Sequence, residues 1–236
     1  MARVVKEDAY AAKRNEILDV ARRLIYTKGY EQMTIQDILD ELHMSKGAFY
    51  HYFDSKGVVL EALVERMAVD EVIPLLIPIT RDPQLSALEK LNSYFDTAVR
   101  WKTAKKAFMM QLLRVWMADE NAIVRQKLYS MSVKHVTPLL TEIVRQGVQE
   151  GVLTTPFPDQ MGELIYSIAQ SLGDTFGGLL LLHEAGSDSL RQLENVIAAY
   201  TNALERVLGA PSGSLKLMDT ESLKEWLEPV EHEVVA

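Results

Sequence analysis

The chain has no cysteine among its 236 residues, which excludes disulfides, thiolate nucleophiles and thiolate-held metals. It has no long apolar run either. VIPLLIPI and FGGLLLL fall well short of the roughly 20 residues that cross a bilayer. The opening MARVVKEDAYAAKRNEIL carries charges and no signal-peptide core, so a soluble cytoplasmic protein with no membrane partner is expected. The alternating Val, Ile and Thr bounded by turns that mark strands are missing, and no repeat period is visible. The histidines, His43, His51, His135, His183 and His232, lack the spacing of metal ligands. There is no GxGxxG, P-loop or GxSxG pattern. The expectation is therefore no enzyme, no catalytic residue, no metal site and no cofactor.

What is present is 48% hydrophobic and 25% charged, an ordinary globular composition that can bury a core. Net charge is −8, which by itself argues against broad nucleic-acid binding. The charge is uneven, however. Residues 1–60 hold nine Lys/Arg and nine Asp/Glu, so the whole negative surplus lies in residues 61–236. That split suits a DNA-facing head on an acidic body.

Helical periodicity runs through the chain. Ile17, Leu18, Ala21, Leu24 and Ile25 form one apolar stripe, and Gly29 follows Lys28 as a helix end. Thr34 precedes Ile35, Ile38, Leu39 and Leu42, with Asp37 three residues on, an acidic variant of the capping box. Ser45 and Ser55 are N-cap candidates for a third and a fourth helix. Pro74 and Pro78 predict a break. Beyond them the pattern predicts helices over Gln84–Trp101, Lys105–Met117, Glu120–Glu150 (kinked at Pro138), Met161–His183 and Leu190–Leu208. EGVLTTPFPD and EAGSDS are loops, GAPSGS is a linker, and DTESLKEWLEP is a short terminal helix ended by Pro229.

SKGAFYHYFDSK, Ser45 to Lys56, carries the chemistry. For the bare stretch, an aromatic core helix with incidental lysines competes with a recognition helix. Its context decides: it follows a capped helix and a tight LHMS turn, the layout of a helix-turn-helix unit. The helix after such a turn lies in the DNA major groove. Gly47 then has a purpose, since a residue without a side chain lets backbone approach the duplex. Phe49 and Phe53, four apart, point into the core together. The polar tips of Tyr50, His51 and Tyr52 reach phosphates or base edges. Lys46 and Lys56 flank the helix with positive charge. Arg3, Lys6 and Lys13 or Arg14 are candidates for further backbone contacts.

From Arg14 to about Leu63 the sequence resembles the DNA-binding head of the TetR/AcrR family of bacterial transcriptional regulators. The resemblance rests on Ala21, Gly29-Tyr30, Thr34-Ile35, Ile38, Ser45-Lys46-Gly47, Tyr50, Tyr52-Phe53 and Lys56. It implies an all-α homodimer on a palindromic double-stranded DNA operator, with a small-molecule effector bound in the C-terminal body. By the same likeness Thr34, Tyr50, Tyr52 and Lys56 hold phosphates, and Lys46, Gly47, Ala48 and His51 face bases, with Ser45 opening the helix between them. The chain departs from the family at His43, where glycine is common, at the bulky Leu39 and Leu42, and at Gly57, where an acidic residue is common.

In the body, WKTAKKAFMMQLLRVWM concentrates residues able to line an adaptable apolar cavity, although most such residues simply fill cores. The candidate effector-binding residues are Trp101, Phe108, Met109, Leu112, Trp116, Gln170 and Asp174. GDTFGG inside a helical pattern admits close helix packing, ligand or a partner. By resemblance the last two long helices build the dimer interface, with Ile168, Leu172, Leu179, Leu193, Ile197, Tyr200 and Leu204 supplying its apolar face.

The expected organisation is a helix-turn-helix domain over 1–55, a helical ligand-binding and dimerisation domain over 56–209, and a linker with a short helix over 210–236. The expected function is a ligand-responsive regulator, a repressor released from DNA by a small, largely apolar molecule. The competing expectation is a helical adaptor whose head contacts protein.

Overall fold

The capping and stop signals of the sequence shape the first four helices. The structure, a computed structural model, describes residues 2–118, 122–182 and 187–228. Among these residues every regular element is a helix. The side chains of Arg3 and Lys6, together with His183, the 184–186 part of the expected loop, Pro229 and His232, lie outside the described residues.

The chain divides into two units. The first comprises Met1–Met67 and Met110–Leu128, the second Ala68–Met109 and Tyr129–Ala236.

In the first unit, α1 (Ala2–Lys28) ends where Gly29 takes φ +83°, the left-handed conformation that glycine adopts without steric cost. Helix α2 (Ile35–Leu42) starts at the anticipated capping box. The Thr34 hydroxyl accepts from the Asp37 N–H, and the Asp37 carboxylate accepts from the Thr34 N–H at 2.7 Å. Lys28 pairs with the same carboxylate at 2.6 Å. These bonds, Lys28's first, hold Asp37 well below its ordinary 3.8, at about 2. Ser45 caps α3 (Lys46–Tyr50) and Ser55 caps α4 (Lys56–Arg66), each hydroxyl accepting a backbone N–H at 3.2 Å. Arg66 ties α4 to α1 through Asp19 at 2.7 Å and the Asn15 carbonyl at 3.3 Å, and Arg23 pairs with Glu41 between α1 and α2.

The predicted break at Pro74 and Pro78 is not seen. A π-helical turn, Met67–Val72, leads into α5 (Ile73–Arg81), with Pro74 in the first turn and Pro78 inside. Proline in a first helical turn gives up an N–H that has no helical partner anyway, and the wider turn just before it absorbs the change of path.

The second unit contains α5, α6 (Ala87–Thr103), the start of α7 (Lys106–Met117), the end of α8 (Ala122–His135), α9 (Thr137–Gln149), α10 (Pro158–Leu182), α11 (Ser187–Leu208) and α12 (Thr220–Leu227). Ser86 and Glu89 form a full capping box on α6. Where one kinked helix was predicted around Pro138 there are two, because Pro138 falls in the first turn of α9. The core joins Leu76, Leu91, Phe95, Leu140, Ile143, Ile165, Leu204 and Leu208.

The tail packs onto this core. Leu215 and Leu217 are buried. The buried Glu205 carboxylate accepts the Leu215 N–H at 3.0 Å. The Asn92 amide brackets the chain at the Ser214 carbonyl, 2.9 Å, and the Lys216 N–H, 2.8 Å. The Trp226 indole donates to Thr103 at 2.8 Å, and Lys106 donates to the carbonyls of Glu225 and Glu228 at the end of α12.

Helices α9 and α10 approach each other closely at Gly162. A Cβ at Gly162 would sit 2.2 Å from the Thr141 hydroxyl and 2.3 Å from the Thr137 carbonyl, whereas Gly173 faces open space. Gly162→Ala is therefore expected to destabilise the protein by about 1–3 kcal/mol, the usual cost of overpacking, read as a lower denaturation midpoint.

The Asp37 cap makes stability depend on pH. A depressed carboxylate contributes fully above its unfolded value and loses that contribution as pH falls through the folded value, here between 3.8 and about 2. Asp37→Asn is expected to lower the melting temperature at neutral pH, and the gap to wild type should close across that window. A gap independent of pH would contradict the assignment.

Candidate nucleic-acid interface

Helix α3 has two opposite faces. Phe49 and Phe53 are 0% and 1% exposed, with ring centroids 6.1 Å apart. They anchor α3 to the unit, as their spacing predicts. On the other side Ser45, Lys46, Gly47, Ala48, Tyr50 and His51 are all exposed, and Tyr52 is half-buried. A Cβ built on Gly47 meets no atom within 4 Å, so no packing demand explains the glycine.

The turn before α3 closes through His43, at φ 48° and ψ 41°. It is the only non-glycine with positive φ among the described residues. The histidine thus occupies the left-handed position where glycine is usual, and the Met44 N–H returns to the Leu39 carbonyl at 3.0 Å.

The candidate contact residues differ in what they have free. Lys46 stands 6.0 Å from the Tyr50 ring centroid. The Lys56 ammonium lies 4.2 Å over the Tyr30 ring and donates to the Glu31 carbonyl at 3.3 Å. An ammonium has three donors, so Lys56 is held in place with donors left over. The Ser45 hydroxyl accepts the Ala48 N–H and keeps its own proton to donate. Thr34 is different: its hydroxyl proton goes to Asp37 at 2.7 Å and its backbone N–H to the same carboxylate. Of the first-helix cations, Lys13 pairs with Glu16 at 2.6 Å, and Arg14 lies 4.9 Å over the Phe53 ring.

Two contributors at this end were not anticipated. Tyr30 supplies the ring that holds Lys56. Tyr10 stacks on Tyr52 with centroids 4.8 Å apart. Tyr10 shows in no linear motif, and it lies 42 positions before Tyr52; Tyr30 belongs to the Gly29-Tyr30 pair of the resemblance, but its contact with Lys56, 26 positions on, does not show there.

The candidate effector residues divide between the units. Leu112 and Trp116 belong to the first; Trp101, Phe108, Met109, Gln170 and Asp174 belong to the second. Phe108 is buried. Trp101 is half-buried beneath the Lys105 ammonium at 4.6 Å. Gln170 donates to Asp174 at 3.0 Å. Lys102 was missed, although it continues the α6 stripe of Leu91, Tyr94, Phe95 and Ala98. It is solvent-accessible, yet surrounding protein atoms push its ammonium below its ordinary value, partly offset by Asp174. Burial likewise raises the phenol of Tyr166.

On the dimer expectation, Leu193, Ile197 and Leu204 are buried within the chain and do not face outward. The outward faces of α10 and α11 carry Leu164, Leu182, Ala199, Ala203 and Val207. Among the described residues no group of three potential metal ligands gathers, and no helix is long and apolar enough to cross a membrane.

This geometry has known counterparts. A family profile described as "Bacterial regulatory proteins, tetR family" matches residues 17–63. Over 82 residues the chain is 39% identical to the HTH-type transcriptional repressor Rv1474c of Mycobacterium tuberculosis, covering 33% of this chain and 44% of that protein. The chain thus spans less than half of that relative's length. A TetR-family transcriptional regulator from Pectobacterium atrosepticum shares the fold at TM-score 0.64, with 18% identity over 86% of this chain and 98% of that one. Thermus thermophilus FadR, a TetR-family transcriptional repressor solved in complex with lauroyl-CoA, does so at 0.59, with 18% identity over 85% and 100%. The profile lies across α1 to α4, so the head of the chain is similar to bacterial regulatory proteins of the tetR family, and the fold is shared with both solved structures.

Proposed function

We propose that this protein is a cytoplasmic, ligand-responsive DNA-binding transcriptional regulator, a repressor that acts as a homodimer on a palindromic operator. The observation that carries the reading is the free face of α3, where an unobstructed glycine lies between an exposed lysine and exposed aromatic residues. A stretch of backbone without a side chain, rimmed by donors, fits a groove wall.

Lys46, Gly47, Ala48 and His51 face base edges. Lys56, Tyr50, Tyr52 and the Ser45 hydroxyl hold phosphates. Thr34 serves the phosphate backbone indirectly, by fixing the start of α2, since its donors are committed to Asp37. Two copies joined through the outward faces of α10 and α11 place their α3 helices in successive major grooves, roughly 34–36 Å apart. The repressor role is supported by the name of the mycobacterial relative.

The effector site is in the second unit, with Trp101, Phe108 and Met109 supplying apolar surface and Gln170, Asp174 and Lys102 orienting the molecule. A ligand with a large apolar part fits that lining, and the lauroyl-CoA held by a protein of this fold is of that kind. Ligand releases DNA by binding better to the conformer whose heads are misplaced for the operator.

Gly47→Ala separates folding from binding. The added methyl meets open space, so the melting temperature is expected to hold or rise slightly, while affinity for a selected palindromic duplex falls. Loss of stability with unchanged DNA affinity would contradict the reading.

The two lysines are expected to differ. Lys56→Ala weakens binding evenly across sequences and flattens the salt dependence by about one unit of slope. Lys46→Ala relaxes preference at particular base pairs. Quantitative gel shifts over a salt series check both. No preference for any palindrome over random DNA would reject operator recognition.

A further inference from the structure

The apolar stripe of α1 does not end with the core. Ile17, Leu18, Ala21 and Ile25 are buried, and Arg14 and Tyr10 continue the same face toward the N-terminus at helical spacing. Both meet the far end of the recognition segment. Arg14 lies over Phe53. Tyr10 stacks on Tyr52 with centroids 4.8 Å apart and planes 29° apart. It also meets His51 edge-on at 5.6 Å and 87°, and its hydroxyl is 3.5 Å from the His51 carbonyl oxygen. His51 and Tyr52 touch each other edge to face at 5.2 Å. The three rings are one cluster.

Core packing does not require Tyr10. It is 39% exposed, and Ala9, Ala11 and Ala12 beside it are exposed too. The ring lies against two side chains that the DNA-binding reading assigns to the duplex.

We propose that Tyr10 is a positioning residue for DNA recognition: its ring braces Tyr52 and His51, so that α3 presents both in one orientation before the duplex arrives. The proposal rests on the DNA-binding function above. An exposed ring that is already fixed loses less freedom on binding than a mobile one, and it offers its polar atoms to one base step rather than several. Through His51, which faces bases, the brace acts on sequence preference; its smaller effect through Tyr52, a phosphate contact, is common to all sequences. A direct phosphate contact would act on all sequences alike.

The test uses the full chain, a palindromic duplex that the wild type selects from a random-centre library, and a mixed-sequence duplex of the same length. Tyr10→Ala is expected to weaken the selected duplex about three- to tenfold, the scale of one aromatic pair, while mixed-sequence binding changes by less than about twofold. The salt slope is expected to stay that of wild type. Tyr10→Phe keeps the ring and is expected to retain the wild-type preference. In the free protein, Tyr10→Ala should move the His51 Hε1 resonance away from its ring-current-shifted position, and Tyr10→Phe should leave it in place. Circular dichroism confirms that α1 is retained.

Equal losses on both duplexes with a flatter salt slope would make Tyr10 a phosphate contact and overturn the brace. So would an unmoved His51 resonance in Tyr10→Ala, or selected-duplex binding as tight as wild type. If the wild type selects no duplex, the regulator reading itself fails. That result is distinct from a wild type that selects a duplex which Tyr10→Ala binds equally well.

Discussion

A helix of five residues does not persist in water on its own, because nucleating a turn costs more than so few hydrogen bonds return. Helix α3, Lys46–Tyr50, exists because Phe49 and Phe53 are sealed beneath it and Ser45 holds its first turn. Everything proposed for the head depends on that anchorage. With two rings committed to the core, the remaining side chains of α3 are released from packing duty. The glycine among them then costs the fold little. The three serine and threonine caps at Thr34, Ser45 and Ser55 fix where each short helix begins, and so set which residues of Ser45–Lys56 face outward.

The outward residues are ordered before any partner arrives. Lys56 is held between the Tyr30 ring and the Glu31 carbonyl, and Tyr52 lies against Tyr10. Arg14 covers Phe53, which connects the recognition segment to the longest helix of the unit. Such contacts are individually small, but they restrict long and aromatic side chains that would otherwise be free. The head therefore presents a patterned surface, and the acidic surplus of the chain stays in residues beyond it.

Much of this was legible in the sequence because it depends on short spacings. Thr34 with Asp37, Gly29 after Lys28, and Phe49 with Phe53 are local rules of helix capping and periodicity, and each appears in the structure as expected. The strained His43 turn was legible from the glycine it replaces. What could not be read depends on contacts distant in sequence or on a tertiary choice between equivalent local options. Tyr10 is unremarkable, and the contact of Tyr30 with Lys56 unreadable, until folding brings each to its partner. Pro74 and Pro78 read as a break because propensity does not foresee a π-helical turn that lets proline begin a helix. Leu193, Ile197 and Leu204 have the periodicity of a dimer seam, but the same periodicity serves the chain's own core. Within GDTFGG, Gly173 faces open space, whereas Gly162, outside that stretch, lies at a close approach of α9 and α10. Lys102 was legible in principle, as a cation on an apolar stripe.

The central claim is that Gly47 is bare so that backbone can lie against DNA. A crystal structure of the dimer with its selected duplex tests this most directly. The account predicts the Gly47 Cα in van der Waals contact with the duplex, about 4 Å from its nearest atom, with Lys46 and His51 at base edges. A Gly47 separated from the DNA by a layer of water, or α3 lying outside the groove, would contradict it.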